Sequence, residues 1–249
     1  MKALKNKYIN REISWLQFNH RVLQEAKDPN VPLIERLRFL GIFSNNLDEF
    51  YRVRYATVKR IAISNDSGKK AYKDITAKKL LTEITKNAIE LQQNSFKILN
   101  NVIQLLKLEK IFFVNENSIK KYQKKFVSNY FNDVLSPSLG IIILDNNKKI
   151  PQFKDNLSFL IVKLTLRDDS IKHAIVHFSK NLKRFLELPT DDENSYVMLI
   201  DDIIRYYFKL IFKIFNPKKI DGNMIKISRD AELEFDDDIS KSYLEKISD

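Results

Sequence analysis

Apolar residues recur every three to four positions through the first 108 residues, and the spacing changes character after that. Ser14 is placed to cap a first helix whose apolar face carries Trp15, Phe18, Val22, Leu23 and Ala26. Those neighbours make Trp15 a core anchor rather than a binding surface. Asp28-Pro29-Asn30 breaks the helix, and Asn30 with Pro32 opens a second one bearing Leu33, Leu37 and Leu40. A polar break at Ser44-Asn45-Asn46 follows, close behind Gly41. Helical spacing resumes with Leu47, Phe50, Tyr51, Tyr55, Val58 and Ile61 and stops at the polar loop Ser64-Asn65-Asp66-Ser67-Gly68. Asp74 or Thr76 then opens a long helix through Leu80, Ile84, Ala88, Leu91, Ile98 and Val102 to Leu108, with no Pro or Gly inside. Residues 1–108 are therefore expected to form an all-helical domain, a four-helix arrangement.

After Glu109 the pattern turns to short apolar runs. Ile111–Val114 and Ile141–Leu144 read as strands, with a helix over Ser118–Phe131 between them and Pro137 and Gly140 bracketing a turn. Phe159–Leu166 and Ile171–Phe178 flank Arg167-Asp168-Asp169-Ser170, which predicts a hairpin. Tyr196–Leu199 leads into a helix from Asp201 to Phe215, and Met224–Ile227 is a short strand. Asp236-Asp237-Asp238 would start a last helix. Residues 109–249 are expected to be a second domain of mixed α+β structure with locally paired antiparallel hairpins, cut short at its C-terminus. The fold class is α+β.

Composition adds bounds. The 249 residues are 44% hydrophobic, enough for one large core or two ordinary ones. There is no Cys, which excludes disulfides, thiolate metal sites and a cysteine nucleophile. No apolar run is long enough to span a bilayer, and Met1-Lys2-Ala3-Leu4-Lys5 lacks the apolar segment of a secretion signal, so a cytoplasmic protein is expected. The net charge of +11 is uneven. Residues 1–107 hold 20 Lys and Arg against 10 Asp and Glu, whereas residues 108–249 hold 23 against 22. The helical half should attract a polyanion, or it is simply a basic surface.

Two readings of the Ser44-Asn45-Asn46 break stay open. Asn45 and Asp48 have the spacing of a helix cap. Alternatively, free backbone N–H groups at a helix start, with Arg36, Arg38, Arg52, Arg54, Lys59 and Arg60 nearby, suit a phosphorylated ligand. With four glycines, no Gly-rich phosphate cradle is encoded. His173 and His177 share a strand face but have no evident third metal ligand. Asp236-Asp237-Asp238 as a cation site and Asp191-Asp192-Glu193 as anything but a polar loop are weaker still. No metal-ligating or catalytic residue is assigned.

The stretches Tyr8-Ile9-Asn10-Arg11-Glu12-Ile13-Ser14-Trp15-Leu16-Gln17-Phe18-Asn19-His20-Arg21-Val22-Leu23 and Pro32–Arg54, the latter containing Ser44-Asn45-Asn46-Leu47-Asp48-Glu49-Phe50, resemble the opening of the type 1 polyphosphate kinase family. Ile204-Arg205-Tyr206-Tyr207 and Ser228-Arg229-Asp230-Ala231-Glu232-Leu233 are similar to the family's second domain. The resemblance implies a kinase that reversibly transfers the terminal phosphate of ATP to inorganic polyphosphate through a phosphohistidine, with Mg2+. It implies ATP, ADP and polyphosphate as ligands, a homo-oligomer, no specific nucleic-acid partner, and compatibility with peripheral membrane association. The phosphohistidine and most phosphate and magnesium ligands belong to two further domains of the family. His20, His173 and His177 are followed two residues on by Val22, Ile175 and Ser179, so none stands in an H-x-K motif. Asn46 resembles the family residue that contacts the adenine side of ATP. The chain is thus expected to be a catalytically inactive N-terminal part supplying an adenine-side wall and dimer contacts. The alternative is a stand-alone basic module for polyanion binding or dimerisation.

Overall fold

A computed structural model describes residues 9–63, 70–72, 75–144, 158–179 and 181–230. The expected loop over Ser64–Gly68 and the expected helix after Asp236-Asp237-Asp238 lie outside those residues. The chain forms two compact units, residues 1–99 with the segment from Ser228, and residues 100–227. The sequence pattern puts the junction at residues 108/109; the units part within a helix, between Leu99 and Asn100. Their content is helices first and mixed α+β structure afterwards, the fold class expected.

The first unit is built on α1 (Arg11–Lys27), α2 (Leu33–Glu49), a π-helical turn over Phe50–Tyr55, α3 (Ala56–Ile63) and the start of α4 (Ala77–Leu108). A small antiparallel pair, β1 (Lys70–Tyr72) and β2 (Ile75–Thr76), precedes α4. Asn10, not Ser14, caps α1: its Oδ1 accepts from the backbone N–H of Glu12 at 3.0 Å and of Ile13 at 3.2 Å. The buried face of α1 includes Leu16, Asn19, Leu23 and Ala26. Trp15 lies one position off that face, half-buried, stacked on exposed Phe18 at 5.5 Å. It is a rim residue, not the expected core anchor.

The expected break at Ser44-Asn45-Asn46 does not exist. Helical backbone runs unbroken from Leu33 through the π turn to Ile63, so among the described residues the bundle has three rods in place of four. Asn is a mediocre helix former, but its cost is a fraction of a kcal/mol per residue, roughly 0.5. The stripe Phe43, Leu47, Phe50 crosses the polar triplet at spacings of four and three, and all three side chains are buried. Burying three such groups outweighs two weak propensities several-fold. These residues join Leu16, Leu23, Val58, Leu80, Ile84, Ala88 and Leu91 in the core of the unit.

The second unit contains a four-stranded antiparallel sheet and a three-stranded sheet. In the first, β4 (Leu139–Leu144), β6 (Ile171–Phe178), β5 (Ser158–Thr165) and β9 (Lys219–Lys226) lie in that order. The expected β5–β6 hairpin is present. Asp168 Oδ1 accepts from the backbone N–H of Ser170 at 3.1 Å, and Asp169 takes the left-handed conformation at φ 60°. β9 is twice as long as expected: its polar start, with Lys219 and Asp221, pairs with β5 as an edge strand. The other sheet joins β3 (Ile111–Val114) to β8 (Ser195–Leu199) in parallel and β8 to β7 (Phe185–Leu188), a strand that the sequence pattern did not reveal. Pairing is therefore not all local. The segment expected to be one helix over Ser118–Phe131 is a 3-10 turn, α5 (Lys124–Tyr130) and a π turn. The expected helix to Phe215 is broken at Tyr207 into α6 (Ile200–Tyr206) and α7 (Phe208–Ile211), followed by a 3-10 turn. Asn216, left-handed at φ 41°, and Pro217 end it.

Candidate functional site

Asn46 sits in mid-helix, half-buried, where α2 crosses α1. Its Nδ2 donates to Asn19 Oδ1 at 3.1 Å, and Asn19 Nδ2 donates to the Phe43 carbonyl at 3.1 Å. The two amides link α1 to α2. The rest of the Asn46 carboxamide, its oxygen and second amide hydrogen, has no protein hydrogen bond among the described residues. A small cleft of about 190 Å³ opens nearby, lined by Trp15, Glu49, Val53 and Arg54. Trp15 stands one helical turn before Asn19, and Glu49 one turn after Asn46, but neither Asn19 nor Asn46 is among the residues that line the cleft. The π turn supplies Val53 and Arg54; such turns widen the helix locally and recur at functional sites.

The cations near Asn46 do not form one pool. Arg36 is buried, donating from Nε to the Ala26 carbonyl at 2.8 Å. Arg38 pairs with Glu35 at 2.7 Å, Arg52 with Glu49 at 2.8 Å and Arg60 with Asp230 at 3.4 Å. Arg54 lines the cleft and Lys59 is exposed. Nor does a helix N-terminus point at Asn46, because α2 begins at Leu33, behind Pro32. The capping reading of Asn45 and the anion-collecting reading of this turn both fall with the missing break. What stays at Asn46 is a half-buried carboxamide whose Nδ2 donates to Asn19.

The remaining candidates are dispersed. His173 and His177 are exposed on β6. No group of three His, Cys, Asp or Glu side chains that could hold a metal occurs among the described residues. Asp192 is a structural lock: it accepts from the Asn194 backbone N–H at 2.8 Å and the Tyr196 hydroxyl at 2.9 Å. Those donors hold its carboxyl well below the usual carboxylate range.

An open cleft of about 640 Å³ in the second unit has no counterpart in the sequence pattern. Arg205, Lys209, Lys213, Lys218 and Lys219 line it with one carboxylate, Glu116. Behind it Arg205 is held by Asp201 at 2.9 Å and by Asp202, and Arg184 reaches Asp201 at 3.2 Å. Burial, the Asp201 charge and a hydrogen bond with Glu116 raise the Asp202 carboxyl to about 7, although Arg205 opposes the rise. Between its ordinary pKa near 3.8 and about 7 the folded protein holds a proton that the unfolded chain has lost. Stability from this group is therefore full below about pH 4 and declines as pH rises to about 7. Asp202→Asn, which cannot ionise, is expected to be more stable than the parent at pH 8. The gain should be about 1–2 kcal/mol after screening of this partly exposed group, and near zero at pH 4. Urea unfolding at the two pH values measures it; equal gains at both would remove the assignment.

Comparison with known proteins covers both units. Residues 8–114 match the family profile described as the polyphosphate kinase N-terminal domain, and residues 122–249 match the polyphosphate kinase middle domain. The chain is 39% identical over 248 residues to a polyphosphate kinase of Vibrio cholerae and 38% over 247 residues to one of Vibrio parahaemolyticus. It is 36% identical over 247 residues to that of Escherichia coli K12. Each alignment takes in 97% of this chain and 35% of the relative, so the chain spans about a third of their length. The crystal structure of polyphosphate kinase from Porphyromonas gingivalis superposes with a TM-score of 0.79 at 28% identity, over 93% of this chain and 34% of that one. The profile matches, the relatives and the shared fold agree: this chain belongs to the polyphosphate kinase family.

Proposed function

We propose that the chain is the N-terminal part of a polyphosphate kinase, an enzyme that reversibly transfers the terminal phosphate of ATP to inorganic polyphosphate. In this reading residues 1–108 face the nucleotide, with Asn46 on the adenine side, and residues 109–249 form the second domain and contribute contacts in a cytoplasmic homo-oligomer. The observation that carries the Asn46 assignment is its half-satisfied carboxamide, one helical turn before Glu49, which lines the Trp15 cleft. An adenine edge offers one donor and one acceptor, and a carboxamide matches both. At about 190 Å³ the cleft is below the ~300–1,000 Å³ of complete ligand pockets, which suits one wall of a larger site.

Phosphoryl transfer itself depends on positioning and on neutralising charge. This chain's contribution is positioning: Asn46 and the cleft orient the base. None of its three histidines stands in an H-x-K motif, and no magnesium site is assembled among the described residues. Incubation with labelled ATP is expected to leave the chain unlabelled.

Trp15 is the only tryptophan and lines the cleft, so its fluorescence reports on this site. ATP is expected to change that emission, and Asn46→Ala to weaken the response about tenfold, the loss of one well-made hydrogen bond pair. Polyphosphate affinity should stay within about twofold. Equal loss of ATP and polyphosphate binding would mean that Asn46 serves only to join α1 to α2.

A further inference from the structure

We propose that the basic cleft formed by α6, the α7 region and the start of β9 binds a chain of inorganic phosphates. The choice of polyphosphate among polyanions rests on the family reading above; the cleft and its charge do not.

Its size, about 640 Å³, lies within the range of complete ligand sites. Five cationic side chains line it against one carboxylate, Glu116. Lys209 and Lys213, four residues apart, are exposed and form no ion pair among the described residues. Lys218 pairs with Asp169 at 2.8 Å and Lys219 with Asp221 at 2.8 Å. Both carboxylates are well exposed, at 73% and 43%, so these are screened pairs that a multivalent anion can displace. Arg205 differs: Asp201, Asp202 and the Gly222 carbonyl hold it in place, a fixed charge at the back of the cleft. Like charges gathered on a concave surface focus the potential there.

Lysine is a mobile point charge rather than a fork for one planar partner. Four of them around an open cleft suit a flexible, repeating anion with no base to recognise. The charge balance of the second half of the sequence, near neutral, conceals the cluster, because residues far apart in sequence, Arg205 to Lys219 and Glu116, meet only around the cleft.

The test uses the 249-residue chain and long-chain inorganic polyphosphate, titrated across a salt series. Lys209→Ala/Lys213→Ala is expected to weaken binding about tenfold or more and to lower the slope of log affinity against log salt by about one to two. Lys78→Ala/Lys97→Ala removes the same charge from the exposed side of α4 and should change affinity less than about twofold. Parent-like binding by the cleft variant, or equal loss in the α4 control, overturns the proposal. Trp15 emission with ATP, recorded on the same variants, separates the two sites. A lost lysine effect with an intact ATP response removes the cleft alone; the converse removes the adenine wall alone. ATP competing fully with polyphosphate at the cleft would also overturn it, because the site would then be a nucleotide site.

Discussion

Arg36→Leu is expected to lower the unfolding free energy of the helical unit by about 3 kcal/mol, the cost of breaking a buried, charge-assisted contact. Arg36 is 3% exposed. Its Nε donates to the Ala26 carbonyl at 2.8 Å and its Nη2 to the Lys27 carbonyl at 3.4 Å. These carbonyls belong to the last turn of α1, where helical geometry leaves them without intrahelical partners. The guanidinium satisfies them and places a positive charge at the negative end of the helix dipole. Leucine fills part of the space but leaves Ala26, which has no exposed surface, with an unpaired carbonyl. Arg36→Lys should recover only part of the loss, because one ammonium cannot reproduce a fork with fixed geometry. Urea unfolding followed by far-ultraviolet circular dichroism measures both variants. A loss below about 1 kcal/mol for Arg36→Leu would show that water replaces the guanidinium at little cost.

Gly222→Ala should destabilise the second unit by about 2–3 kcal/mol, as overpacking of a core does. A Cβ at Gly222 would lie 2.4 Å from Phe208 Cε2 and 2.5 Å from Cζ. Phe208 is 5% exposed and belongs to the core with Phe212, Leu164 and Ile204. One side of the ring meets the open cleft, but a shift that admits the Cβ gives up its packing against these side chains. Gly140→Ala provides the contrast. A Cβ there would lie even closer, 2.0 Å from His177 Nε2, yet His177 is exposed and its ring can turn into water. Its cost should stay below about 1 kcal/mol, since alanine also recovers some backbone entropy in a strand. Thermal melting of the pair decides between confinement and bare distance: if Gly140→Ala proved the more damaging, confinement of the Phe208 ring would not be the controlling factor.

The Asn46 region shows where the sequence pattern suffices and where it misleads. Phe43, Leu47 and Phe50 carry an unbroken helical stripe in the sequence itself. Weighting that stripe above the polar triplet predicts one continuous helix, because burial of large side chains exceeds the propensity cost of Asn. The partner of Asn46 is not legible: Asn19 lies 27 residues away, and only the crossing of α1 and α2 brings the amides together. Periodicity places Trp15 one position wrong around its helix, since Trp15 and Leu16 are both apolar and spacing alone ranks them equally. The second unit follows the same division. The β5–β6 hairpin is legible because turn chemistry and both strands are local. The β3–β8 pairing is not, because a parallel pair needs a long connection that local pattern does not encode.

By itself the sequence determined a mainly helical region before a mixed α+β one, though not the β1–β2 pair ahead of α4, together with the long α4, the β5–β6 hairpin and the family, since each is written in short-range spacing or in contiguous motifs. Tertiary structure alone decided that Asn46 meets Asn19, that Arg36 is internal rather than a ligand, and that cations from α6 to β9 meet Glu116 around one cleft. The physical reason is range. Helical and strand periods are set within a few residues, whereas burial, desolvation and charge focusing depend on which distant segments the core draws together.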